Sequence, residues 1–311
     1  MIDIGTYEKI THYDPTMTVT LRNAFCRDMK QRFNELKLVI SKAIVVQDCF
    51  GLKDKDLKFH QVTPPGNQAF SYMRDPEKVT AFMEWLQKQV DKGLLSIGEF
   101  AQIGFAIEHA WTNKYIFDSY KRGLIRARYE MQKAGYTVPA LEATGGIEGA
   151  MSLPFHIDRV GVLYTRMFSE LKGITAQMDT IISRILAQGM IDGEGPRTMA
   201  RKIVKSIDGE GVGTVGITDK LGRFIPAQRR AMMLARSEII RAYHLAAIQE
   251  YRNWGVEGVD VLAEWVTGND DRVCGECASM QGRVFTLDEI EPMIPKHISC
   301  RCFTIPVLKN N

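Results

Sequence analysis

The sequence predicts a mainly α-helical protein: long amphipathic helices followed by a small C-terminal α+β module gathered around cysteine and histidine. Three observations lead there. Ahead of Gly255, apolar residues recur every three or four positions over long stretches, the spacing that puts them on one helix face. Beyond it come short β-type runs, Val261 to Val266, Gly282 to Phe285 and Cys302 to Val307. Four of the six cysteines lie in that same last segment.

Asp14-Pro15 marks a turn, and a long helix follows with Leu21, Phe25, Met29, Phe33, Leu36, Ile40 and Ile44 on one face. It ends near Phe50-Gly51. Residues 53 to 74, with Thr63-Pro64-Pro65-Gly66-Asn67, read as an irregular connection. Asp75 caps a second helix with Pro76 at its first position; Val79, Phe82, Leu86 and Val90 form its apolar face and Gly93 stops it. Ser96-x-x-Glu99 has the form of a capping box and predicts a third helix running through Trp111 to Lys133-Ala134-Gly135. Lys121, Arg122, Arg126, Arg128 and Lys133 make its second half basic, which reads first as a solvated face.

Thr144-Gly145-Gly146 and Gly149 mark a joint. Then Leu153, Ile157, Val160, Tyr164, Met167, Leu171, Ile174, Met178, Ile181 and Ile185 alternate steps of four and three, a heptad seam. The seam fits an intramolecular helical hairpin or a contact between subunits. A short helix from Pro196 to Ser206, an exposed loop over 208 to 225, and a strong helix from Pro226 to Gly255 complete the helical part. The expected division is 1–145, an N-terminal helical region; 146–256, a helical region with the heptad seam; and 257–311, the Cys/His module.

Composition sets limits. Hydrophobic residues make up 45%, enough for a packed core, and the net charge of +3 does not itself point to a partner. No apolar run has membrane-spanning length. The opening Met1-Ile2-Asp3-Ile4-Gly5 has neither the basic nor the apolar part of a secretory signal, so assembly in a cytosol is expected. In that compartment cysteines at ligand spacing favour metal over disulfide. Cys26 and Cys49 stand apart and read as buried thiols.

Cys274 and Cys277 reach one ion from a tight turn that Gly275 permits, and His297 and Cys300 repeat the i, i+3 spacing. Cys300 and Cys302 alternate along a strand and share a face. Cys274, Cys277, His297, Cys300 and Cys302 are thus five candidates for the four places of a tetrahedral Zn²⁺. Cys274, Cys277, His297 and Cys300 are the favoured set, with Cys302 as substitute; a reduced thiol cluster or a disulfide is the alternative. Donors in surplus fit a structural ion better than a catalytic one, which keeps an open position. Glu257, Asp260, Glu264, Asp270, Asp271, Glu276, Asp288, Glu289 and Glu291 make the surroundings acidic, unsuited to phosphates.

Gly211-Val212-Gly213-Thr214-Val215-Gly216 matches the dinucleotide fingerprint in letters but lacks the strand before and helix after it. His12, His60, His109, His156 and His244 are scattered and read as solvated or satisfied singletons. No catalytic residue and no organic cofactor site is assigned.

Asp271-Arg272-Val273-Cys274-x-x-Cys277, Gly282-Arg283-Val284-Phe285 and His297-x-x-Cys300-Arg301-Cys302 together resemble the C-terminal signature of the Mu-F-like phage head morphogenesis proteins, also called minor head or minor capsid proteins. Ala235 to Ala242 and Trp254-Gly255-Val256 resemble the helix that precedes it. Asp14-Pro15-Thr16, Arg32-Phe33, Asp48-x-Phe50-Gly51-Leu52, Trp111-x-Asn113-x-Tyr115-Ile116 and Tyr120-x-x-Gly123 are similar to minor head proteins more loosely. The family more often has Thr at Ser237 and Pro at Ile298; neither change removes a donor.

The resemblance implies a structural virion protein, in several copies around the portal protein inside the head, touching other head proteins and packaged DNA, and assisting assembly, packaging or ejection. It implies host cytoplasm during assembly and no membrane. Two other readings stay open at this stage: a zinc-dependent nuclease or cysteine hydrolase at the Cys/His cluster, and a DNA-binding regulator using the basic helix around Arg229 to Arg241.

Overall fold

The computed structural model describes residues 14–52, 75–96, 107–211, 213–219, 222–255 and 261–308. In chain order the elements are α1 Val19–Ser41, α2 Asp75–Val90, α3 Asn113–Lys133, α4 Gly146–Met151, α5 Pro154–Ile191, α6 Pro196–Asp208, β1 Gly216–Thr218, β2 Phe224–Pro226, α7 Ala227–Trp254, β3 Val261–Val266, α8 Gly275–Ala278, β4 Val284–Thr286, α9 Leu287–Ile290 and β5 Phe303–Leu308. The described chain is mainly helical with small antiparallel sheets, as the apolar spacing requires.

The chain forms two compact units, and the divisions fall inside α1, α5 and α7. The first comprises Met1–Cys26, Thr112–Met167 and Met233–Asn311; the second comprises Arg27–Trp111 and Phe168–Met232.

In the first unit, α3 and the second half of α7 are the packing frame. Tyr115, Ser119, Gly123 and Ala127 fall four apart on α3 and are all buried. Small residues at that spacing let helices approach closely. The Ser119 hydroxyl donates to the Ile239 carbonyl at 2.6 Å. The sheet lies in the order β4-β3-β5, antiparallel throughout, with Glu264 opposite Val284 and Val266 opposite Phe303. Val261, Ala263 and Trp265 alternate inward along β3. They join Ala127, Met131, Ile240, Ala247, Ile248 and Tyr251 in one core. The segment after Gly255 therefore shares its core with two long helices. Its three strand-like runs were legible from composition, each to within two residues.

At the start of this unit, the Asp14 carboxylate accepts from the backbone N–H of Thr18 at 3.0 Å, the Thr16 hydroxyl at 2.7 Å and Arg22 at 2.7 Å. Asp14-Pro15-Thr16 is thus a buried turn that seats the beginning of α1.

In the second unit, Met29, Phe33, Leu36, Ile40 and Ile44 of the first helix are buried, as the spacing predicts. Buried with them are Phe82, Trp85 and Leu86 of α2, Leu171, Ile174, Met178 and Ile182 of α5, and Met199, Ile203 and Ile207 of α6. Phe50 meets Phe82 with ring centroids 5.2 Å apart.

Three sequence expectations change. The second helix does not stop at Gly93: a π-helical turn carries it from Asp91 to Leu95. The Ser96 hydroxyl donates to the Asp91 carbonyl at 2.9 Å and closes that turn; the capping box it would form with Glu99 falls outside the described residues. The third helix starts at Asn113; Glu99, Phe100 and Ile103 lie outside the described residues. The heptad seam also drifts. Val160, Met167, Leu171, Ile174 and Met178 are buried, but the inner positions then become Ile182, Leu186 and Met190, while Ile157 is exposed. A straight helix turns every 3.6 residues, so a strict 3.5 repeat slides off its buried face by about 20° per heptad. The connection over 53 to 74, His12 and His60 also lie outside the described residues.

Candidate metal centre

Five sulfur and imidazole donors are carried by two turns and a strand entry. Cys274 is the N-cap of α8, and its Sγ accepts the backbone N–H of Cys277 at 3.4 Å. That cap brings the two side chains of Cys274-Gly275-Glu276-Cys277 onto one side. The opposing turn is His297 to Cys300, closed by the Cys300 N–H donating to the His297 carbonyl at 3.1 Å. Ser299 turns it with φ of 62°. Cys300 and Cys302 then lead into β5.

His297 Nε2 lies 3.2 Å from Cys274 Sγ and 3.1 Å from Cys277 Sγ. Its Nδ1 donates to the Ile298 carbonyl at 2.8 Å, which fixes the tautomer and leaves the Nε2 lone pair facing the thiols. Donor atoms of Cys274, Cys277 and His297 all lie within 4.8 Å of one another, and so do those of Cys277, Cys300 and Cys302. Cys277 belongs to both groups. Cys300 is grouped with Cys277 and Cys302 rather than with Cys274 and His297. Cys274 and His297 form the exposed end; Cys277, Cys300 and Cys302 are buried in the core.

The thiols interact strongly. A hydrogen bond from Cys302 draws the Cys300 thiol down to about 5, and the same bond pushes the Cys302 thiol up. Burial, followed by the charge on Cys300, pushes Cys277 up to about 12. One negative charge is accommodated and a second is resisted. A cation removes that conflict, because coordination stabilises every thiolate at once. The donor set is thus soft, crowded and partly dry, which suits Zn²⁺.

Three of the surrounding acids, Asp270, Asp288 and Glu291, are paired with arginines. Asp270 takes both Arg301 nitrogens at 2.8 and 2.5 Å, and Arg272 at 2.7 Å. The Arg301 guanidinium holds the Asp270 carboxyl well below the usual carboxylate range. Arg301 stands between Cys300 and Cys302, so this pair braces the strand entry. Arg252 binds both Asp288 and Glu291 at 2.6 Å.

A second polar group was not legible in the sequence. His156 is fully buried; its Nδ1 meets the Tyr120 hydroxyl at 2.8 Å and its Nε2 meets Glu250 at 2.9 Å. Glu250 also accepts from Arg128 at 2.6 Å and from the Trp254 indole at 2.9 Å. Three separate helices, α3, α5 and α7, meet there, so no local spacing announces it. His156 is a satisfied core histidine. The basic half of α3 is mostly spoken for: Arg128 by Glu250, Arg126 by Glu130 at 2.5 Å and Lys121 by Glu148 at 3.0 Å.

Residues 180–305 match the family described as phage Mu protein F like protein. The matched span runs from the end of α5 to β5 and includes all five donors. No curated protein and no solved structure matches the chain. No described helix is long and apolar enough to cross a membrane.

Proposed function

We propose that this chain, whose residues 180–305 match the phage Mu protein F like family, is a structural minor head protein of a tailed phage, seated at the portal vertex inside the head. It assists head assembly and genome packaging or ejection in several copies. The observation that carries the reading is the coincidence of the matched span with the Cys/His cluster and the α7–sheet core around it. Copurification tests it: the protein is expected in portal-containing heads, and its absence from them overturns the assignment.

In this reading the cluster is architectural. Cys277 with Cys274 and His297, completed by Cys300 or Cys302, would hold one zinc ion. The ion supplies charge to stabilise thiolates and joins the α8 turn to the β5 entry. Three of the five donors are buried among Trp265, Ile290 and Ile294. A core position favours a staple over a nuclease or hydrolase, whose reacting atoms need an open face. Metal analysis is expected to return about one zinc per chain, the capacity of one four-donor site.

A further inference from the structure

We propose that Cys274 and Cys277 are a peroxide-sensitive pair: hydrogen peroxide converts them to a disulfide, and the cluster then lets go of its metal. Loss of the metal rests on the zinc reading above; the disulfide does not. Ion and disulfide are successive states of one site, the first fastening the α8 turn to the β5 entry and the second freeing it.

Access selects the sulfur that reacts first. All six cysteines are among the described residues, and Cys274 is the exposed one. Cys277, Cys300 and Cys302 are buried behind it, and Cys26 and Cys49 are buried elsewhere. Peroxide arriving from solvent therefore meets Cys274. Cysteine oxidation follows exposure, and a sulfenic acid is captured when a second thiol stands in reach.

Geometry selects that second thiol. Cys277 Sγ lies within 4.8 Å of Cys274 Sγ. Both sulfurs border His297 Nε2, and the Cys277 N–H donates to Cys274 Sγ at 3.4 Å. Cys300 and Cys302 are grouped with Cys277 and not with Cys274. A side chain at Gly275 would meet nothing within 4 Å, so the turn has room to tighten as the sulfurs close to bonding distance.

The chemistry balances with peroxide as the one added reactant. The Cys274 thiolate attacks a peroxide oxygen; the S–O bond forms, the O–O bond breaks and hydroxide leaves. Cys274 is now a sulfenic acid, oxidised by two electrons, and the peroxide is reduced. The Cys277 thiolate attacks that sulfur; the S–S bond forms, the S–O bond breaks and a second hydroxide leaves. Both hydroxides take protons from solvent and become water. Cys277 belongs to both donor groups, so neither keeps three donors after the step. A tetrahedral ion cannot be held by what remains. Glutathione reverses the bond by thiol exchange. The turn is thus fastened in a reducing cytosol and can be freed in an oxidising medium.

The test uses the full-length protein, purified under reductant and then freed of it. Hydrogen peroxide is added, free thiols are alkylated, linkages are mapped by peptide mass spectrometry, and a chromophoric chelator reads released zinc. A Cys274–Cys277 linkage is expected, with zinc lost in step with it, both reversed by glutathione and zinc, and with Cys26 and Cys49 still reduced. Cys302→Ser is expected to give the same linkage, and Cys274→Ser to form no linkage; circular dichroism checks that both are folded. A parent linkage from Cys277 to Cys300 or Cys302 overturns the proposal. So does Cys274 that stays reduced, or that passes to the sulfinic acid without a disulfide. The linkage is read on sulfur, so a parent that forms it without having held zinc supports the pair and overturns the zinc reading alone.

Discussion

The Cα of Gly123 on α3 lies against the backbone of Tyr243 on α7: a β-carbon at 123 would stand 2.2 Å from the Tyr243 carbonyl oxygen and 2.9 Å from its Cα. Both obstacles are backbone, so neither can rotate away. Gly123→Ala is expected to destabilise the protein by about 2 kcal/mol or more through overpacking. Gly161 and Gly173 on α5 meet nothing within 4 Å. Alanine at either is expected to stabilise by up to about 1 kcal/mol, the helix propensity difference. Denaturant unfolding of the three variants checks both directions; a stabilised Gly123→Ala would contradict the helix contact.

Glu250 holds Arg128 and His156 in a dry site. Glu250→Gln keeps the shape and removes the charge, leaving the Arg128 guanidinium buried without an anion. The expected cost is about 3 kcal/mol or more. Arg128→Met combined with Glu250→Gln is expected to recover part of it, which a double-mutant cycle measures.

His244 is fully buried, and burial lowers it from 6.5 to about 4. Its Nε2 donates to the Ile290 carbonyl at 3.2 Å, which opposes part of that shift, but burial outweighs it and the neutral ring is the form the fold accepts. Between these values the unfolded chain carries the proton and the folded chain does not. Stability from this site is therefore full above pH 6.5 and falls as pH drops toward 4, by about 3 kcal/mol at most. Unfolding free energies across that window are expected to flatten in His244→Asn relative to the parent.

Cys277 belongs to both donor groups and Cys302 to one. Cys277→Ser is expected to abolish zinc retention, whereas Cys302→Ser keeps it with weaker hold. A chelator is expected to lower the melting temperature of the parent and not of Cys277→Ser. Equal zinc content in the two serine variants would show that Cys277 is not the common ligand.

Local patterns carried far, and long-range ones did not. The buried face of α1, the start of α2 at Asp75, the β3 alternation and the i, i+3 spacing inside each of the Cys and His turns depend on residues within a few positions of one another. Ser96 has a use that its spacing to Glu99 did not announce: its hydroxyl closes the turn behind it. The seam on α5 misled because four-and-three spacing outlasts the true helical repeat. The Tyr120–His156–Glu250–Arg128 group was invisible because three helices must be placed before its members meet. Spacing alone does not separate Cys300 from Cys302 as the fourth donor, because both lie with Cys277 at the β5 entry.

Trp265 is wholly buried in the same core as Cys277, Cys300 and Cys302, and its indole nitrogen has no hydrogen-bond partner among the described residues. Its ring therefore looks out on hydrocarbon and sulfur, an environment that shifts indole emission to short wavelength. In a variant whose Trp85, Trp111 and Trp254 are replaced, the emission of this one ring thus gauges whether the sulfur cluster is intact.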